Sequence, residues 1–197
     1  MLADDLDLEH FSVGDIFRWN VQHHTKLGAQ VKRTIDSGKL VEDDLVEAVV
    51  RRCLADHDWN FGFVIDGFPR TARQAEFFLE RYDIDGVINL ELPDEDVARR
   101  VLARRLCAEC GMDYNLIGHR PSSEGVCDIC GGKLEPRADD NPAALAVRLA
   151  DYHRETKPLI AIFERKEFVA TIDATRPVEE VQASIRQRFG LPPLKPV

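Results

Sequence analysis

Residues 62–70 read GFVIDGFPR. The apolar run Phe63-Val64-Ile65 has the composition of a short strand buried in a sheet. It stops at Asp66, and Gly67, Phe68, Pro69 and Arg70 follow. A buried strand that gives way to a carboxylate, a flexible glycine, a rigid proline and an arginine marks the edge of a cleft. Its tip carries one hard anion suited to a metal and one planar cation suited to a phosphate.

Two more runs share the character of residues 62–66. GVINLEL (86–92) and EFVATID (167–173) are apolar and β-branched, and both read as strands. Between and around them lie helical patterns. Residues 40–54 place Leu45, Val46, Val49, Val50, Cys53 and Leu54 at helical spacing, so Cys53 belongs to the core face. Residues 71–81 and 93–106 read as helices, the latter with acids in its first turn and arginines towards its end. A long pattern over 141–165 bends near Pro158, and a last helix opens at Pro177 and closes at Gly190. The tail, 191–197, is irregular. Strands alternating with helices predict an α/β fold whose parallel sheet is covered on both faces. Ligands then bind beyond the carboxyl ends of the strands, where Asp66 to Arg70 fall.

The chain has 197 residues and a formal net charge of −9, which argues against a large nucleic-acid surface. No apolar run approaches the roughly 20 residues of a membrane span, and the acidic start MLADDLDLEH is no signal peptide. The protein is therefore expected in the cytoplasm, with no membrane or nucleic-acid partner, as a monomer.

Residues 107–136 break the α/β pattern. Cys107-x-x-Cys110 is followed after sixteen residues by Cys127-x-x-Cys130, and each pair is followed by a glycine, Gly111 or Gly131. In a reducing compartment this spacing predicts a zinc knuckle, not disulfides. Four thiolates close the coordination sphere, so the metal is structural and holds a patch with too few apolar residues to hold itself. A zinc ribbon can also bind nucleic acid, but this one is not markedly basic.

Arginines form the second signal. Arg100 and Arg104 are expected on one helix face, four residues apart. Arg70 follows a strand, Arg137 precedes Asp139 and Asp140, and Arg148 lies on the next helix. Around one cleft they suit a polyphosphate, because a guanidinium binds phosphate in a fork and does not lose its charge. FSVGDIFR (11–18) reads as a Gly14-Asp15 turn that caps a helix, and GKLV (38–41) follows it. His23, His24 and His153 are expected as ordinary helix residues, and Trp19 and Trp59 as packing.

Together these stretches resemble the adenylate kinase family of nucleoside monophosphate kinases, in its long form with a zinc-bearing lid. The likeness runs from about residue 2 to residue 190 and implies a P-loop NTPase-like three-layer α/β/α fold. It implies a core of residues 1–106 and 137–190, with 12–41 beginning the monophosphate-binding region, a lid of 107–136 and a tail of 191–197. DGFPR is a family signature: Asp66 would hold magnesium-bound water, Gly67 and Arg70 would meet the monophosphate, and Gln74 its base. SVGDIFR is similar to the monophosphate-binding segment, with Val13 and Gly14 near the substrate and Arg18 on its phosphate. Lys39, Leu40 and Val41 would offer main-chain contacts to the base. Arg100 and Arg104 would face ATP, and Arg137 and Arg148 would close over the reacting phosphates. The implied reaction is transfer from Mg-ATP to AMP giving two ADP, with structural Zn2+ and with Mg2+ carried by ATP.

Two departures stand out. Val13 occupies a position where the family usually has threonine, which relaxes the expected preference for AMP. No Gly-x-x-x-x-Gly-Lys-Ser/Thr stretch occurs in residues 1–197. Met1-Leu2 aligns with the middle of the family's first helix, so the central first strand and the phosphate loop are expected to be absent, leaving a gap of about 10 Å in the sheet. The chain then reads as truncated and impaired. The alternative is a non-catalytic nucleotide-binding or zinc-stabilised regulatory protein.

Overall fold

The computed structural model describes residues 2–193. Helix α1 (Leu2–Asp5) leads into strand β1 (Glu9–Ser12), and helices α2 (Val13–Gln22), α3 (Lys26–Asp36) and α4 (Asp43–Ala55) follow. Strand β2 (Phe63–Asp66) then precedes α5 (Ala72–Leu79). β1 and β2 run parallel, from Glu9 beside Phe63 to Ser12 beside Asp66, so both end at the same level. The strand at residues 9–12 escapes a reading of the sequence because EHFS has one apolar residue and no alternation to reveal it.

Strand β3 (Val87–Glu91) pairs in parallel with β7 (Val169–Asp173), from Val87 beside Val169 to Glu91 beside Asp173. Among the described residues no ladder joins β1–β2 to β3–β7. The parallel strands thus form two separate pairs. Helix α9 (Val178–Phe189) covers β7 and ends at Gly190, whose φ of 62° serves as a left-handed cap.

One apolar cluster joins the first strand pair to its helices: Phe11, Val13, Phe17, Val31, Val46, Val50, Leu54, Phe68, Phe77 and Phe78. Ala75 of α5 meets Leu159 and Phe163 of α8 (Leu159–Phe163), with Val87 and Val169 packed alongside, which ties the two pairs together. Cys53 packs against the first cluster as expected, and its burial raises the thiol pKa. Trp19 and Trp59 do not pack inside; they are 54% and 59% exposed, Trp19 stacked on His23 and Trp59 on Tyr82. His23 caps α2, and His24 has a left-handed φ of 50°, so neither is an ordinary helix residue.

Two helix boundaries differ from expectation. The helix predicted over 93–106 is α6 (Asp94–Leu102), after which β4 (Arg104–Cys107) enters a three-stranded antiparallel sheet with β5 (Asp113–Asn115) and β6 (Leu134–Glu135). The long helix over 141–165 is α7 (Pro142–Asp151), a π-helical turn at Tyr152–Thr156, and α8. Pro158 lacks the N–H that would continue the ladder, and the turn before it widens: Lys157 N–H donates to the Tyr152 carbonyl at 2.8 Å.

The loop between α3 and α4 lies hard against α7. Gly38 has a φ of 75°, and a Cβ there would sit 2.8 Å from the Ala144 carbonyl carbon. Gly38→Ala is expected to lower stability by more than the about 1–2 kcal/mol that a left-handed φ alone costs. Gly190→Ala, at a φ of 62° with open space around it, isolates the conformational part. Urea unfolding of both variants checks this; equal losses would show that the approach to Ala144 carries no weight.

Candidate active site and zinc knuckle

Every element end near Asp66 contributes a charged side chain. Ser12, the last residue of β1, caps α2: its hydroxyl accepts from the Asp15 N–H at 3.3 Å, so the helix starts at Val13, one residue before the predicted Gly14-Asp15 turn. Asp15 then accepts from Arg18 at 2.5 Å and lies 3.7 Å from Arg137. Burial alone would raise the Asp15 pKa, but the Arg18 hydrogen bond, the Ser12 hydroxyl and the Arg137 charge hold it below the ordinary value. The flank of Gly14 carries the Arg18 guanidinium, 3.0 Å from where a Cβ would stand.

After β2, Gly67 turns the chain with a φ of 73°, and its carbonyl accepts from Arg70 Nε at 2.8 Å. That left-handed φ favours the glycine of DGFPR, and a Cβ on Gly67 would stand 2.9 Å from the Arg70 guanidinium, which would have to shift. Gln74 is buried; its Oε1 accepts from the Arg70 N–H at 2.8 Å and its Nε2 donates to Asp43 at 2.7 Å. One amide hydrogen of Gln74 is left for a ligand.

Arg104 donates twice to Asp140, at 2.8 and 2.7 Å. Arg148 reaches Asp139 through its carboxylate and Asp140 at 3.4 Å. Burial raises the Asp140 pKa and these arginines lower it; the arginines win. Arg70, Arg148 and Arg18 are close enough that desolvation and the neighbouring cations lower the Arg70 pKa against the pull of Asp66. Desolvation, Arg18 and Arg104 do the same to Arg137. Arg137 Nε is buried without a hydrogen-bond partner. A crowd of guanidiniums, one with an orphaned donor, is a site short of an anion.

Arg18, Arg70, Arg104, Arg137 and Arg148 therefore belong to one charge network. Arg104 does so from β4, not from the helix face it was expected to share with Arg100. The chain leaves the helix at Ala103 because β4 must carry Cys107 into the knuckle. Arg100 and Arg104 still line one cavity of about 340 Å³, with Asp113, Tyr114, Asn115 and His119. Lys39, Leu40 and Val41 run through the loop before α4; the Lys39 N–H is taken by the Thr34 carbonyl at 3.1 Å, and Val41 packs on the main core. Val13 is 4% exposed within that core. Asp15, Asp139 and Asp140, which neutralise the arginines, went unassigned in the sequence because an acid beside an arginine in sequence says nothing about where the two meet in space.

The four cysteine sulfurs lie within 4.8 Å of one another, Cys107 to Cys130 at 3.4 Å and Cys110 to Cys127 at 3.6 Å. A tetrahedral site with metal–sulfur bonds of about 2.3 Å has edges of about 3.8 Å, so the spacing fits Zn2+. Gly111 and Gly131 turn the two knuckles with φ of 74° and 75°. The cysteines ionise unequally: Cys127 is drawn down to about 6, chiefly by the Tyr114 hydroxyl, with the Cys110 sulfur also lowering it. Cys130 is pushed up to about 12, because the Cys107 and Cys110 sulfurs outweigh a helpful Gly132 N–H. A bound cation lets all four be thiolates.

Comparison with known proteins decides the family. A model of the family described as adenylate kinase matches residues 1–168. The chain is 41% identical to an adenylate kinase of Treponema denticola over 92% of its own length and 87% of that protein's. It is 38% identical to one of Bacillus licheniformis and 40% identical to one of Symbiobacterium thermophilum, over 96% and 95% of this chain and 89% of each relative.

This chain belongs to the adenylate kinase family. It is a phosphotransferase with the α/β fold of that family, and its four-cysteine cluster is of the kind that binds zinc. Among the described residues no helix is long and apolar enough to cross a membrane. As in other adenylate kinases, Mg2+ accompanies the ATP substrate.

Proposed function

We propose that the arginine network at the ends of β1 and β2 is where a phosphoryl group passes from Mg-ATP to AMP, giving two ADP. The observation that carries this is Arg137: a half-buried side chain whose buried Nε has no partner, crowded by Arg18 and Arg104. A phosphate would supply the missing acceptor and offset the crowded positive charge. In the reaction an oxygen of the AMP phosphate bonds to the γ-phosphorus while the bond from that phosphorus to its bridging oxygen breaks. Charge spreads over the transferring oxygens, and catalysis is positioning plus electrostatic stabilisation. Magnesium, when bound with ATP, would draw charge from the donor phosphates, and Asp66, at the end of β2, would hold its water.

Arg18 and Arg70 take the monophosphate, Gln74 and the main chain of Lys39, Leu40 and Val41 its base, with Val13, Gly14 and Gly67 forming the floor. Arg100 and Arg104 take ATP, and Arg137 and Arg148 the phosphates in flight. Residues 107–136 act as a lid that excludes water, the competing acceptor. Residues 12–41 begin the monophosphate-binding region, and 1–106 with 137–190 make the core. The chain works as a cytoplasmic monomer with no nucleic-acid partner. Residues 194–197 of the tail lie outside the described residues.

Titration calorimetry with AMP, GMP and adenosine tests the acceptor site. AMP is expected to bind and adenosine not, because the arginines recognise the phosphate. Val13 offers the base no hydrogen bond, so AMP and GMP are expected to differ little. Val13→Thr is expected to favour AMP by about tenfold or more, since one polar contact is worth about 1–3 kcal/mol. It also puts a hydroxyl into an apolar cluster, at a cost in stability of about 1–3 kcal/mol. Adenosine binding as tightly as AMP would overturn the phosphate reading; an unchanged AMP-to-GMP ratio would overturn the role of Val13.

A further inference from the structure

The cavity beside Arg100 and Arg104 holds a carboxylate that the transfer chemistry does not use. Asp113 is the first residue of β5 and lines that cavity with Tyr114, Asn115 and His119. Among the described residues its carboxylate makes no hydrogen bond and no ion pair, although it stands in the field of Arg137 and Arg104. Asp113 is exposed, so its carboxylate is solvated and free to meet a ligand, and beside bound phosphates it is tolerated best where that ligand donates to it.

A carboxylate is acceptor-only, with two oxygens side by side. Its partner must therefore offer donors, and two adjacent donors suit it best. On a nucleoside triphosphate the phosphates offer none and the adenine edge offers one amino group. The ribose offers a vicinal pair of hydroxyls. Position agrees: Asp113 lines the same cavity as Arg100 and Arg104, the residues that take ATP, and the ribose joins the base to the phosphates there. The parallel rings of Tyr114 and His119, 5.1 Å apart, stand further along the same wall.

We propose that Asp113 is a specificity-determining residue that accepts hydrogen bonds from the 2′- and 3′-hydroxyls of the donor nucleotide, selecting ribonucleotides over deoxyribonucleotides. The inference rests on the reading of this cavity as the ATP site. An acid that acted only on the charge of Arg104 and Arg137 would affect ATP and deoxy-ATP alike, which separates the two roles.

The test is NMR titration of the zinc-loaded chain with Mg-ATP, Mg-2′-deoxy-ATP and Mg-3′-deoxy-ATP, followed at the His119 ring and the lid amides. The unmodified chain is expected to bind ATP about tenfold more tightly than either deoxy form. Asp113→Ala is expected to bring the three constants together, and Asp113→Asn, which keeps one acceptor oxygen, to leave an intermediate ratio. Zinc content checks that each variant keeps its lid. Discrimination that survives in Asp113→Ala, or that is missing from the unmodified chain, overturns the inference while leaving the ATP site in place. If Arg104→Met and His119→Ala change none of the three constants, the donor does not sit in this cavity, and the site reading itself fails.

Discussion

Removing the metal from the four-cysteine knuckle is expected to unfold residues 107–136 while the parallel strand pairs stay folded. The reason is the size of the lid's core. Its buried cluster is Cys107, Tyr114, Cys127 and Leu134, and two of those four are themselves metal ligands. Such a cluster cannot offset the ordering of some thirty residues, each costing about 1–2 kcal/mol of backbone entropy. Structural zinc contributes on the order of 10–16 kcal/mol at neutral pH, so the lid's order depends on it far more than on that small cluster. The core, by contrast, has its own apolar clusters in both strand pairs. Cys107→Ser is expected to behave like the metal-free protein, with one zinc per chain in the parent and weak or no binding in the variant. Hydrogen exchange resolves the two regions: lid amides lose protection and those of β2 and β7 keep theirs. A metal-free chain whose lid amides stay protected would show that the sheet of β4, β5 and β6 holds without zinc.

Arg137→Ala and Arg104→Ala are expected to separate catalysis from stability. Among the described residues Arg137 makes only a long contact to Asp15, and its Nε has no partner, so the native state loses little with it. Turnover is expected to fall at least 10²–10³-fold, the scale for losing one preorganised donor to developing charge, about 2.7–4 kcal/mol. Arg104 also holds Asp140, whose side chain is 1% exposed. Taking Arg104 away leaves that carboxylate with the weaker Arg148 contact at 3.4 Å, and breaking a buried pair from one side costs about 3–5 kcal/mol. Arg104→Ala is therefore expected to lower both turnover and the unfolding midpoint, and Arg137→Ala turnover alone. Equal destabilisation by the two would contradict the assignment of Arg137 as an unsatisfied, ligand-directed group.

Much of this architecture is legible in the residues themselves. Val64-Ile65 and Val87-Ile88 announce strands because apolar, β-branched runs suit a sheet, although both strands are only half-buried, and the paired cysteines announce a knuckle because thiolate spacing is stereotyped. β1 is hidden because Glu9 and His10 are exposed at its start, so neither composition nor alternation marks it. Arg104 misleads for a different reason. Residues 93–106 carry helical propensity throughout, and only the lid sheet, a tertiary demand, turns Arg104–Cys107 into a strand. The site was readable as a set of arginines but not as a network. Its counterions Asp15, Asp139 and Asp140 are placed by α2 and by the turn before α7, and no spacing rule links those two segments. The aromatics Trp19 and Trp59 were misjudged by residue type; their exposure depends on loop paths that the sequence does not encode locally.

The central claim is that this arginine network transfers phosphate between nucleotides, and the reaction itself tests it most directly. Residues 1–197 contain no Gly-x-x-x-x-Gly-Lys-Ser/Thr stretch to cradle the donor's β- and γ-phosphates. The measurement is therefore made on the chain alone and on the chain carrying a relative's phosphate-loop segment fused ahead of Met1, with Mg-ATP in the presence and absence of AMP. The expected result is two ADP formed for each AMP consumed, no release of inorganic phosphate, and a rate at least about 10²-fold higher in the fused form. ATP breakdown that is indifferent to AMP and releases phosphate, or no turnover in a folded, zinc-loaded fused chain, would contradict it.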